Sequence, residues 1–125
     1  MFGFLKKQNL KIELTFEERK SYLSILNNLH QILIASNLFG QALVIQSLID
    51  LLLEENISQF ILLINSINMW GGSGAVWEVY IENKVEAKVF EKEIINLINL
   101  MEKSKILGRG IKPIKKIFIN NFHIE

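Results

Sequence analysis

The chain has 125 residues, half of them hydrophobic and 22% charged, which is enough for one domain with its own core. It contains no cysteine, which excludes a disulfide scaffold, a thiol nucleophile and a thiolate metal site. Fourteen basic and thirteen acidic residues leave a formal net charge of +1, a balance that is unevenly spread along the chain.

In chain order, Met1-Phe2-Gly3-Phe4-Leu5 precede Lys6 and Lys7, the reverse of a secretory signal. Residues 1–14 therefore read as an N-terminal extension, and the protein as cytoplasmic. Thr15-Phe16-Glu17-Glu18 is a capping box: the threonine hydroxyl accepts from the amide three residues on, and Glu18 reaches back. The helix it opens carries Tyr22, Ile25, Leu26, Leu29, Ile32 and Leu33 as one apolar stripe.

The 19 residues from Gln31 to Ile49 carry no charge, long enough to raise the question of a membrane span. Asn37, Gly40, Gln41, Gln46 and Ser47 interrupt the run, and Asn37-Leu38-Phe39-Gly40 reads as a junction between two soluble helices. No membrane partner is expected. The second helix spans about Leu38 to Glu54, with Ala42, Ile45, Ile49 and Leu52 on its most apolar face. It is apolar nearly all round, as a central, most buried helix would be.

Asn56-Ile57-Ser58-Gln59 repeats the capping logic and starts a short helix carrying Phe60, Leu63, Ile64 and Ile67. Trp70-Gly71-Gly72-Ser73-Gly74 breaks it, because three glycines in four residues oppose regular structure. Ser73 is placed to cap the second of the two segments that these glycines join. In that segment Val76, Trp77, Tyr80 and Ile81 have helical spacing, while the β-branched and aromatic content of Ala75–Ile81 leaves a strand as the alternative. Asn83 caps a long last helix with Val85, Val89, Ile94, Leu97, Ile98 and Met101 on its face. The expected stop is Leu107-Gly108, where glycine can turn left-handed. Residues 108–125 are a basic tail containing the only proline, Pro113. The sum is an all-α, single-domain bundle of four to five helices with a glycine-rich tryptophan loop and a basic C-terminal tail.

Charge sorts by region. Residues 1–20 hold five basic and three acidic groups (+2), and residues 84–125 hold nine and five (+4). Between them, Asp50, Glu54, Glu55, Glu78 and Glu82 give residues 21–83 a charge of −5. Such a field can steer a charged partner. From Lys103 to Ile124 there are six basic residues and no acidic one, which suits a nucleic-acid contact. Ile111, Ile114, Ile117, Phe118 and Ile119 are interleaved with them, as in a terminal segment that docks on the bundle.

Catalysis has few candidates. His30 and His123 lie far apart, and the adjacent pairs Glu17-Glu18 and Glu54-Glu55 point about 100° apart on a helix. No enzymatic activity, metal or cofactor is expected. The glycine segment has no phosphate-loop lysine, and the dinucleotide fingerprint fails at its third glycine, where the chain runs into Trp77.

The run Asn65-Ser66-Ile67-Asn68-Met69-Trp70-Gly71-Gly72-Ser73-Gly74-Ala75-Val76-Trp77-Glu78 resembles a motif of small bacterial helical proteins, W-G-G-[AS]-G-[AS]-[VL]-x-[DE]. Proteins of that kind are similar to the immunity proteins of polymorphic toxin systems. The resemblance implies an all-α inhibitor that occludes a cognate toxin or effector and has no chemistry of its own. The expected contacts are Trp70, Gly71, Gly72, Ser73, Gly74, Trp77, Glu78 and Glu82, with Asp50, Glu54 and Glu55 as an electrostatic supplement. Nucleic acid is the alternative partner, through Lys112, Lys115 and Lys116. A monomer or homodimer is expected, self-association being favoured by the apolar second helix.

Overall fold

A computed structural model describes residues 13–124, with side chains as far as Phe118. Most of the N-terminal extension lies outside the described residues. The chain folds as one all-helical domain: α1 (Phe16–Ala35), α2 (Phe39–Leu53), α3 (Ile57–Ile64), α4 (Ile67–Trp70), a 3-10 turn (Val76–Glu78), α5 (Lys84–Lys103) and α6 (Lys112–Ile124). Five of these helices have two or more turns, and α4 is a single turn.

The helix starts follow local chemistry. Thr15 Oγ1 accepts from Glu18 N at 3.0 Å while Thr15 N donates to Glu18 Oε1 at 2.9 Å, completing the capping box. Asn56 and Asn83 cap α3 and α5 by accepting from Gln59 N and Glu86 N. The helix ends share one device. After α1, α2 and α5, the residues Asn37, Glu55 and Lys105 adopt φ of 60°, 60° and 65°. The next amide reaches back into the last turn each time: Leu38 N to Leu33 O, Asn56 N to Leu51 O and Ile106 N to Met101 O, all at 2.9 Å. The long helix thus stops at Lys103, with Lys105 taking the left-handed role expected of Gly108.

The core is built around α1, which packs on α2 along one side and on α5 along the other. Its stripe of Tyr22, Leu26, Leu29, Ile32 and Leu33 is buried, as its spacing requires. The expectation that α2 is the central helix is not met. It buries Ala42, Ile45, Leu48, Ile49 and Leu52 but leaves Phe39, Leu43 and Leu53 in solvent. Propensity and hydropathy do not tell an apolar surface residue from a core one, and here packing leaves these out.

On α5 the buried face is Phe90, Glu93, Ile94, Leu97, Ile98 and Met101, while Val85 and Val89 are exposed. Ile67 is exposed as well, because the preceding helix ends at Ile64 with Asn65 as its C-cap, and Ile67 opens a separate helix, α4, after Ser66. Two polar contacts join α1 to α5. Tyr22 Oη lies 2.6 Å from Ser104 Oγ, whose own proton goes to Leu100 O at 2.7 Å, so tyrosine is the donor. Burial pushes the Tyr22 hydroxyl well above its ordinary pKa. The buried Glu93 carboxylate accepts from Asn28 Nδ2 at 2.5 Å and from Asn96 Nδ2 at 2.8 Å.

The basic tail is a helix. Pro113 falls in the first turn of α6, where its missing N–H and fixed φ are tolerated. Ile111, Ile114 and Phe118 are buried, so this segment docks its apolar side on the bundle. Ile117 is exposed, and the side chain of Ile119 lies outside the described residues. Among the described residues, no helix is long and apolar enough to cross a membrane.

Candidate functional site

The glycine-rich segment leaves α4 through Gly71, whose amide donates to Ile67 O at 2.8 Å. A Cβ at Gly71 would sit 2.7 Å from that same carbonyl oxygen, so only glycine fits. Gly74, at φ 89°, supplies the left-handed residue that turns the chain back. Gly72 meets nothing within 4 Å at its Cβ position, and the Ala75 amide closes the turn onto its carbonyl at 3.0 Å. The segment is tied down from two further directions. Trp77 Nε1 donates to Gly71 O at 3.0 Å, and Gln41 Nε2 of α2 donates to Gly74 O at 3.0 Å.

Both tryptophans hold the loop in place. Trp70 is 9% exposed, and its Nε1 donates to Ile64 O at 2.6 Å, which corrects the expectation that it is offered to a partner. An indole with its N–H satisfied by backbone is worth more in the core than in water. Trp77 is half-buried and meets Phe118 of α6 edge to face, with centroids 6.0 Å apart. Ser73 is exposed and caps no helix; Ala75 occupies the N-cap position of the 3-10 turn.

The stretch from Ala75 to Ile81 is neither a regular helix nor a paired strand. After the turn over Val76–Glu78 the chain is extended at Val79, with φ −66° and ψ 150°. Val79 and Ile81 pack against the core while Glu78, Tyr80 and Glu82 face solvent. Tyr80 is 81% exposed. It belongs to this outward row and sequence reasoning missed it, although the alternation of Val79 and Ile81 with Glu78, Tyr80 and Glu82 was available as a signal.

The other acidic candidates lie elsewhere. Gln41 touches the loop, whereas Glu54 comes thirteen residues later, roughly 20 Å along the α2 axis. Asp50 and Glu54 are exposed, and Asp50 accepts from Gln46 Nε2 at 2.9 Å. Glu55 faces Arg19 of α1 at 3.9 Å. The acidic stretch is therefore two patches: Glu78 and Glu82 by the loop, and Asp50, Glu54 and Glu55 toward the opposite end of α2.

Of the basic candidates, Lys112 and Lys115 approach one carboxylate, Glu102 of α5, at 3.1 and 3.6 Å. Hydrogen bonding to Lys112, together with the charges of both lysines, holds the Glu102 carboxyl below its usual range. Lys116 is exposed. His30 is half-buried on α1, and the His123 side chain lies outside the described residues. Comparison with known protein families, curated proteins and solved structures finds no match to this chain.

Proposed function

We propose that the chain is an immunity-type protein that binds a cognate bacterial toxin or effector in the cytoplasm and inhibits it by steric occlusion. The protein acts without chemistry or a cofactor of its own, as a monomer or homodimer. One observation carries the reading. The tryptophan-glycine segment is a fixed loop, and the row after it sends Glu78, Tyr80 and Glu82 into solvent. A preformed acidic and aromatic edge loses little freedom on binding, and its charge complements a basic cleft. Trp70 and Trp77 support this edge from beneath, and Gly71, Gly72, Ser73 and Gly74 set its shape. Asp50, Glu54 and Glu55 contribute at longer range.

Co-expression with toxins encoded beside the gene tests the reading. Rescue of growth, a stable complex, and loss of both in a Glu78→Lys, Glu82→Lys variant are expected. Absence of rescue and complex with every neighbouring toxin would refute it. The alternative, a nucleic-acid module using Lys112, Lys115 and Lys116, has less support, because two of these lysines are engaged with Glu102.

A further inference from the structure

The corner between α5 and α6 contains an open depression of about 370 Å³ lined by Lys105, Arg109, Lys112 and Glu102, with Leu107 and backbone of residues 108–110 completing it. Its charge is one-sided. The single carboxylate, Glu102, is already matched by Lys112 at 3.1 Å and by the adjoining Lys115 at 3.6 Å. Lys105 and Arg109 are exposed and make no ion pair among the described residues. An excess of positive charge around a concavity is unfavourable self-repulsion that a multivalent anion relieves.

The backbone that carries these cations is fixed. Lys105 N donates to Glu102 O at 3.1 Å, and Ile106 and Ile111 are buried on either side. Asn65, from the end of α3, donates to Ile106 O at 2.9 Å and accepts from Gly108 N at 2.7 Å. A Cβ at Gly108 would lie 2.6 Å from Asn65 Oδ1, so the loop and the carboxamide are in full contact. A ligand arriving here meets a backbone that needs little ordering, which favours binding.

We propose that this corner binds a diphosphate group, free or as part of a nucleotide-sized molecule. The Arg109 guanidinium offers paired donors to phosphate oxygens, and Lys105 supplies a point charge to the same anion, while Lys112 stays paired with Glu102. The depression is open on one side and holds more than a single phosphate would fill. The cations surround a concavity instead of following a line, which distinguishes the site from a groove that tracks a nucleic-acid strand. The site is separate from the acidic loop, and its fate is independent of the inhibitor reading.

Calorimetric titration of the full chain with pyrophosphate, and separately with ADP, tests the proposal. One-to-one binding is expected, weakened about tenfold by Arg109→Ala and by Lys105→Gly and unchanged by Lys116→Ala. Lys105→Gly places glycine where the backbone is left-handed, so this variant is expected to melt no lower than the parent while losing affinity. Tighter binding of ADP assigns an organic diphosphate, and equal binding assigns the diphosphate alone. Absence of binding to both at low salt would overturn the proposal, as would affinities indifferent to Lys105→Gly and Arg109→Ala. So would binding of a single-stranded oligonucleotide that depends on Lys116 and is not displaced by pyrophosphate.

Discussion

The glycine loop and the α5–α6 corner solve the same problem with different reach. Each has a glycine that nothing larger can replace without a shift: Gly71 against Ile67 O, and Gly108 against Asn65 Oδ1. Each is held by side chains bonded to main-chain groups, Trp77 and Gln41 in the loop and Asn65 in the corner. The contacts on Gly71 come from within six residues and only Gln41 reaches Gly74 from farther, 33 positions away, whereas the corner depends on a residue 41 and 43 positions away. One presents carboxylates and the other cations. Rigidity, then, does not mark a surface for one kind of partner; the exposed charges on it do.

The largest expected effect is in the loop. Gly71→Ala drives a Cβ into backbone, which cannot move aside cheaply, and should cost about 2–3 kcal/mol in denaturant unfolding. Gly72→Ala, in open space, should stay within about 0.5 kcal/mol. Similar losses in both would mean that the loop's shape is not set by that contact.

The corner comes next. Asn65→Ala removes its bonds to Ile106 and Gly108 and should cost about 1–3 kcal/mol. Gly108→Ala should hurt less in the Asn65→Ala background than alone, with a coupling of about 1 kcal/mol. Strict additivity would show that the carboxamide does not organise this turn. Gln41→Ala, which removes one exposed bond to the loop, should cost only about 0.5–1 kcal/mol.

The smallest effect is electrostatic. The Glu102 carboxyl is lowered in the folded chain, so its contribution is complete above the ordinary carboxylate range and is lost as pH falls through the lowered value. Melting temperatures of the parent and Glu102→Gln should therefore converge in acid and separate slightly at neutral pH. Added salt should shrink that gap, because both lysine contacts are open to solvent screening. A gap that widens in acid would contradict the assignment.

What sequence revealed depended on how local its cause was. Thr15 with Glu18, and Asn83 with Glu86, are three residues apart, and their caps form as the spacing requires. The buried stripe of α1 follows from periodicity for the same reason. The left-handed ends at Glu55 and Lys105 could not be read, since neither residue favours that conformation and only the surrounding packing imposes it. Nor could the contact of Asn65 with Gly108, which requires knowing that the end of α3 meets the chain that follows α5. Within the candidate site, the glycines were visible as a break in the pattern. The burial of Trp70 was not, because a tryptophan before a turn suits a surface contact and a core position equally well.

The chain has two tyrosines in opposite situations: Tyr22 is fully buried against Phe60 and Ser104, and Tyr80 stands almost entirely in solvent beside the loop. The molecule thus contains its own two-channel probe. Mild nitration should label Tyr80 alone, and label at Tyr22 should accumulate only as fast as the bundle opens. A partner that covers the loop should suppress the first without touching the second. Docking and unfolding can therefore be followed in a single sample, with no substitution and no attached dye.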